Sequence, residues 1–189
     1  ERFWHEGPGQ FLSSEQSPRY TSDVLAGALH AKSGRKSIGT MRIYVASSWR
    51  NTLQPTIVDL LRQCGHDVYD FRHPEPGSSG FSWQSIDAHW QQWTPEEYRK
   101  ALKHPMAKHG FRLDMTALCQ CEACVLVLPS GRSASFEFGW AIGNGKRGAI
   151  VMFEACEPEL MYSEQPILTT TDELFTWANQ LPRPKGPSF

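Results

Sequence analysis

Charge of one sign, long apolar runs and a cysteine framework are what this chain lacks. Its 189 residues carry a formal net charge of −1, and Lys and Arg are scattered, with no basic run and no aromatic-basic alternation. That leaves neither the electrostatic footprint nor the stacking platform of a nucleic-acid binder. No apolar stretch approaches the roughly 18 residues of a membrane span, and no secretory leader pattern is visible. A soluble, cytoplasmic protein with no nucleic-acid and no membrane partner is expected.

The five cysteines, Cys64, Cys119, Cys121, Cys124 and Cys156, are odd in number and sit mostly in apolar contexts, as reduced core thiols do. The C-x-C-x-x-C spacing of Cys119, Cys121 and Cys124 invites a zinc reading. It runs from a helix end into a buried strand, however, and no second C-x-x-C or His pair completes a tetrahedral set. No metal and no cofactor is therefore expected. A G-x-S-x-G elbow and a Walker loop are also missing. Of the seven histidines, none lies in a recognisable Cys–His signature, and His89, His104 and His109 read as surface or loop residues.

What is present is alternation. The length suits one domain with an appendage. Residues 1–40 contain Gly, Ser, Pro and charged residues with little periodicity, apart from a short helix predicted over 23–32, and read as an extension or linker. The domain proper spans 41–181, and 182–189 form a tail. The chain opens on Glu1 rather than Met, as a fragment of a longer protein or a trimmed chain does.

Within the domain, residues 42–46 (RIYVA) read as a first strand, 47–50 as a loop, and Asn51 as the N-cap of a helix. That helix buries Leu53, Ile57, Leu60, Leu61 and Cys64 and stops at Gly65; Pro55 is tolerated in its first turn. A second strand follows over 67–71. Residues 72–93 are rich in Pro, Gly, Ser and aromatics and too long for an ordinary connection. They form either a lid or binding loop, or a small satellite core around Trp83, Trp90 and Trp93. Thr94, Pro95 and Glu97 supply an N-cap, a first-position proline and a capping-box acid for a helix that ends before Pro105. A helix over 112–121 leads into the apolar run 124–128, which reads as a strand covered on both faces. A helix from Ala134 to the stop at Asn144-Gly145 then places Glu137 in its first turn. A strand over 149–153, an edge strand at 167–168 and a helix over 172–179, capped by Thr170 or Thr171, complete the pattern. This order predicts an α/β, flavodoxin-like three-layer sandwich with a mostly parallel five-stranded sheet.

In such a sheet, ligands bind beyond the carboxyl ends of the strands, where strand order reverses. With the order 2-1-3-4-5, residues 46–51 and 129–135 face each other across one crevice overlooked by Glu137. The first loop offers the Ser47 and Ser48 hydroxyls, the Arg50 guanidinium and helix-start N–H groups. These make a phosphate or ribose cradle, or serve as ordinary capping and surface residues. The second loop adds Ser133 and Ser135, and Gly131 permits a close backbone approach. In a first turn, free N–H groups and the helix dipole favour ionised Glu137, the form a nucleophile or ribose-binding group needs; plain helix stabilisation is the simpler role. Asp114, read at a helix start, is either a cap or a second carboxylate for glycosidic chemistry.

Three blocks, IYVASSWRN, DMTALCQCEACVLVL and SASFEFGWAIGNGK, resemble the nucleoside 2-deoxyribosyltransferase family and its relatives, the deoxynucleoside 5'-monophosphate N-glycosidases, over residues 41–180. The resemblance implies a flavodoxin-like fold and a retaining N-glycosidic mechanism in which Glu137 attacks the sugar C1'. Asp114 would orient the nucleophile and ribose or aid protonation of the base, and Tyr44 would stand near the nucleophile on the first strand. Ser47, Ser48, Trp49 and Arg50 would lie in the loop that holds the sugar or its 5'-phosphate. The resemblance also implies a small-molecule nucleoside or nucleotide substrate and a homodimer or higher homo-oligomer. Gly131 stands where transferases of free nucleosides commonly carry a base-gripping aspartate, which weighs against strict transferase activity, and Ser135 stands where the family often has Gly. The run VLVLPSGRSASFEFGW also resembles Toll/interleukin-receptor domains that cleave NAD, which again breaks an N-glycosidic bond. A non-catalytic nucleotide sensor is the further alternative.

Overall fold

The computed structural model describes residues 39–181; the helix predicted over 23–32 lies outside them. Strands β1 (Arg42–Ala46), β2 (Asp67–Asp70), β3 (Ala123–Val127), β4 (Arg147–Val151) and β5 (Ile167–Leu168) form one sheet in the order β2-β1-β3-β4-β5, and all four pairings are parallel. The sheet is thus flavodoxin-like, with its strand order reversing between β1 and β3. Every residue of β3 is buried, which is why it reads as an unbroken apolar run.

The period of two divides the strands between two faces. Ile43, Val45, Val125, Val127, Ala149 and Val151 pack with Ile57, Val58, Leu60 and Leu61 of α1 (Gln54–Gln63) and with Leu174 and Ala178 of α5 (Thr171–Asn179). On the other face Tyr44, Ala46, Cys124, Leu126 and Ile150 meet Leu118 of α3 (Pro105–Gln120) and Ala134, Phe138 and Ala141 of α4 (Arg132–Gly143). Helix α2 (Pro95–Ala101) starts with the expected capping box between Thr94 and Glu97, and Thr170 caps α5.

Three expectations are corrected by tertiary contacts. Leu53 occupies the N-cap position of α1 without a side-chain cap, and Asn51, two residues before it, accepts the Leu53 N–H at 2.8 Å while its amide donates across to the Val127 carbonyl at the end of β3. Helix α3 begins at Pro105, where a ring with a preset φ and no N–H suits the first helical position, so Asp114 is mid-helix and no cap. Strand β4 starts two residues before the expected 149, because Gly148 pairs with Cys124; a Cβ at Gly148 would run into Ile142 Cδ1 and the Gln165 side chain. In residues 72–93, 3₁₀ turns Trp83–Ser85 and Trp90–Gln92 carry a ring cluster in which Trp83 meets Phe81, Trp93 and Tyr98 edge-on at 4.8, 5.6 and 5.7 Å. The rings of Trp83 and Trp93 thus pack against each other, while no residue of the two turns is buried.

Candidate active site

Parallel pairing of β1 and β2 sets Tyr44 opposite Tyr69, and their rings stack at 5.2 Å between centroids and 20° between planes. Tyr44 is wholly buried, at 0 % exposure. Its hydroxyl donates to Glu137 Oε2 at 3.1 Å, and the Tyr69 hydroxyl donates to Asp114 Oδ1 at 2.8 Å. The strands thus supply two phenols and the helices α3 and α4 two carboxylates, one phenol to each. Asp114 points inward because it lies one turn before the buried Leu118, and Glu137 because it lies near one turn from both Ala134 and Ala141 on the buried face of α4. Cys124, buried beside Tyr44 on β3, closes the floor.

Glu137 lies in the second turn of α4, which starts at Arg132. The expected first-turn stabilisation of its charge therefore does not operate, since that effect fades within one turn. Burial dominates instead. Burial, and then the charge of Asp114, push the Glu137 carboxyl up to about 7, against the Tyr44 hydrogen bond, which favours the ionised form. Burial also raises Asp114, with the Tyr69 bond opposing. Tyr44 is driven well above the ordinary phenol range by burial and then by the charges of Glu137 and Asp114, and Tyr69 moves up by burial and then by Asp114. Near neutrality both phenols are neutral donors, and a Glu137 carboxyl near 7 is placed to release and take up a proton there, the condition a nucleophile or an acid–base group needs to cycle.

No protein-family model matches this chain, and no curated protein does. Among solved structures it is similar to the 2-deoxyribosyltransferase of the psychrotolerant bacterium Bacillus psychrosaccharolyticus, with 17% identity, a TM-score of 0.45, and coverage of 70% of this chain and 89% of that one.

The two loops named from topology do meet. Ser47 Oγ donates to the Val127 carbonyl at 2.9 Å, and the Asn51 amide donates to the carbonyls of Val127 at 3.2 Å and Pro129 at 3.1 Å. Ser48 Oγ accepts the Arg50 N–H, and Arg50 is exposed. The polar atoms of Ser47 and Ser48 are thus engaged in shaping the loop. Trp49, half exposed, packs edge-on against Phe71 at 5.2 Å. Gly131 caps α4 at φ −87 with nothing within 4 Å of where a Cβ would stand, so no close approach requires glycine there. Ser133 and Ser135 are exposed, and Ser135 Oγ lies 3.3 Å from Ser130 Oγ.

Sequence reasoning missed Tyr69 and Arg72, and read Asn51 only as a helix cap. The available signal for Tyr69 was its central place in the strand beside the one that carries Tyr44. Arg72 Nη2 lies 3.1, 2.9 and 2.8 Å from the carbonyls of Ser48, Trp49 and Asn51 and so fastens the first loop to the segment after β2; nothing local announces it. A hollow of about 560 Å³ along residues 73–79 shares no residue with the carboxylate pair. Among the described residues no group of three His, Cys, Asp or Glu side chains is arranged to hold a metal ion, and no helix is long and apolar enough to cross a membrane. Gly143, Gly145 and Gly148 spell G-x-G-x-x-G, but the string runs from the end of α4 into β4, the reverse of the strand-to-helix order that cradles a pyrophosphate.

Proposed function

We propose that this chain cleaves or transfers the N-glycosidic bond of a nucleoside or nucleotide, with Glu137 as the nucleophile. The observation that carries the reading is the part-buried carboxylate pair, each member held by one of two stacked phenols on the face of the sheet beside the strand reversal. The motif resemblance of the three sequence blocks supports it further.

With Tyr44 holding Oε2, Oε1 of ionised Glu137 attacks C1' of the sugar. The C1'–N bond breaks with its electron pair on the base, which takes up a proton from water as it leaves. Asp114, as a carboxylate, accepts a sugar hydroxyl and orients the ring. The glycosyl ester on Glu137 is then released to water, giving hydrolysis, or to a second base, giving transfer. Because Gly131 carries no side chain to grip a base, recognition falls more on the sugar and on any 5'-phosphate, toward which Arg50 is the free cation of the first loop.

In this reading residues 41–181 are the catalytic domain of a cytoplasmic, self-associating enzyme, flanked by 1–40 and 182–189. Self-association is supported by Phe111 and Phe136, 66 % and 77 % exposed on the helices that carry the two acids; light scattering checks it.

The deciding experiment incubates the protein with deoxynucleosides, their 5'-monophosphates, ribonucleotides and NAD and follows free base by chromatography. Base release that disappears in Glu137→Gln is expected. If no substrate loses its base, or if Glu137→Gln is as active as the parent, the proposal is wrong. Nicotinamide release from NAD alone selects Toll/interleukin-receptor-like chemistry, and tight nucleotide binding without turnover selects the sensor.

A further inference from the structure

We propose that Tyr69 is a positioning residue that fixes Asp114 as the ionised member of the carboxylate pair and thereby holds the pair's shared proton on Glu137. The inference rests on Glu137 being the nucleophile only for its consequence, which is that Tyr69 sets the pH at which that nucleophile switches on.

Two part-buried carboxylates, each held by one of a pair of stacked phenols, lose their protons one after the other, because the charge of the first to ionise opposes ionisation of the second. The hydrogen bonds decide which ionises first, because a donor to an ionised carboxylate stabilises that form. Tyr44 votes for Glu137 at 3.1 Å and Tyr69 for Asp114 at 2.8 Å; the shorter bond belongs to Asp114. Tyr69 is also held rigidly. Its backbone is paired with Tyr44 in the sheet and its ring lies on the Tyr44 ring, so its hydroxyl cannot swing to Glu137 without breaking the stack.

The other groups around the pair do not reverse the choice. Cys124 below Tyr44 is kept a neutral thiol by burial. From residues 72–93, Glu75 acts on Tyr69 as the weakest of its influences and makes it harder to ionise, which keeps it a donor. The charge of Asp114 is the second cause, after burial, of the raised Glu137 carboxyl. Whatever stabilises that charge therefore keeps Glu137 protonated to higher pH.

The test is a ¹³C NMR titration of the carboxyl carbons in the full chain, with the two signals assigned by Asp114→Asn and Glu137→Gln. Tyr69→Phe keeps the stacked ring and removes the hydroxyl. The Asp114 midpoint should then rise by roughly half a pH unit or more, and the Glu137 midpoint should fall to the extent that Asp114 is left protonated while Glu137 titrates. Both midpoints moving together toward the ordinary carboxyl range, as loosened packing would cause, or neither moving, overturns the proposal. Should Tyr69→Phe not fold, Asp114→Asn must lower the Glu137 midpoint in the same titration, and an unchanged midpoint overturns it equally. No substrate enters the measurement, so a chain that titrates as expected yet releases no base keeps the role of Tyr69 and sinks the N-glycosidic reading instead.

Discussion

Tyr44 shows how far one side chain's meaning depends on what faces it. On its strand it is a buried aromatic in an apolar run, and its hydroxyl has to find a partner there because an unpaired buried hydroxyl is costly. Glu137 is that partner. Tyr44→Phe deletes one hydrogen bond to a charged group, worth about 1.5–3 kcal/mol, so base release should slow roughly ten- to hundredfold. The acid limb of the pH–rate profile, which follows ionisation of Glu137 near 7, should move to higher pH because the ionised form has lost its donor. A limb that moves down would contradict the assignment. Glu137 and Asp114 were singled out in the sequence by local pattern, and Tyr44 by family resemblance alone. Their protonation was not legible there: it follows from burial and from one carboxylate's charge on the other, neither of which is a local property.

Among the elements, α3 is the one that sequence reading placed least well. Pro105 at its first position and His104 as its cap, accepting the Met106 N–H, start it seven residues before the expected 112, which is what moves Asp114 from a helix end to the middle of a buried face. Gly110 lies inside it where the 72–93 segment crosses, and a Cβ there would come within 2.8 Å of Phe81 Cβ. Gly110→Ala gains up to about 1 kcal/mol of helix propensity but meets an overpacking cost of about 1–3 kcal/mol. A lower urea midpoint with an unchanged m-value is expected, and in a Phe81→Ala background the same substitution should become stabilising. A stabilising effect in the parent would mean that the segment does not rest on α3. Strands were easier to read because runs such as 42–46 and 124–128 are short, apolar and bounded by turn residues.

For the molecule as a whole, the site costs stability above neutrality. A carboxyl raised from 4.5 to about 7 in the folded chain binds its proton more tightly folded than unfolded. The associated stability is full below pH 4.5 and is lost as pH rises through about 7, up to about 3 kcal/mol in all. Glu137→Gln should therefore raise the thermal midpoint at pH 8, abolish much of its decline between pH 5 and 8, and abolish base release. Scanning calorimetry across that range checks it, and an equal decline in both proteins would place the lost stability elsewhere. Alternation of short apolar runs with amphipathic helices was enough, from sequence alone, to determine the three-layer α/β architecture and its parallel sheet, because periodicity and capping act within a few residues. Which phenol holds which acid was decided only by the tertiary structure. Tyr44 and Glu137 are 93 residues apart and Tyr69 and Asp114 are 45, so only the register of β1 against β2 and the seating of α3 and α4 on that face bring them together, and the same packing supplies the burial that raises the Glu137 carboxyl to about 7.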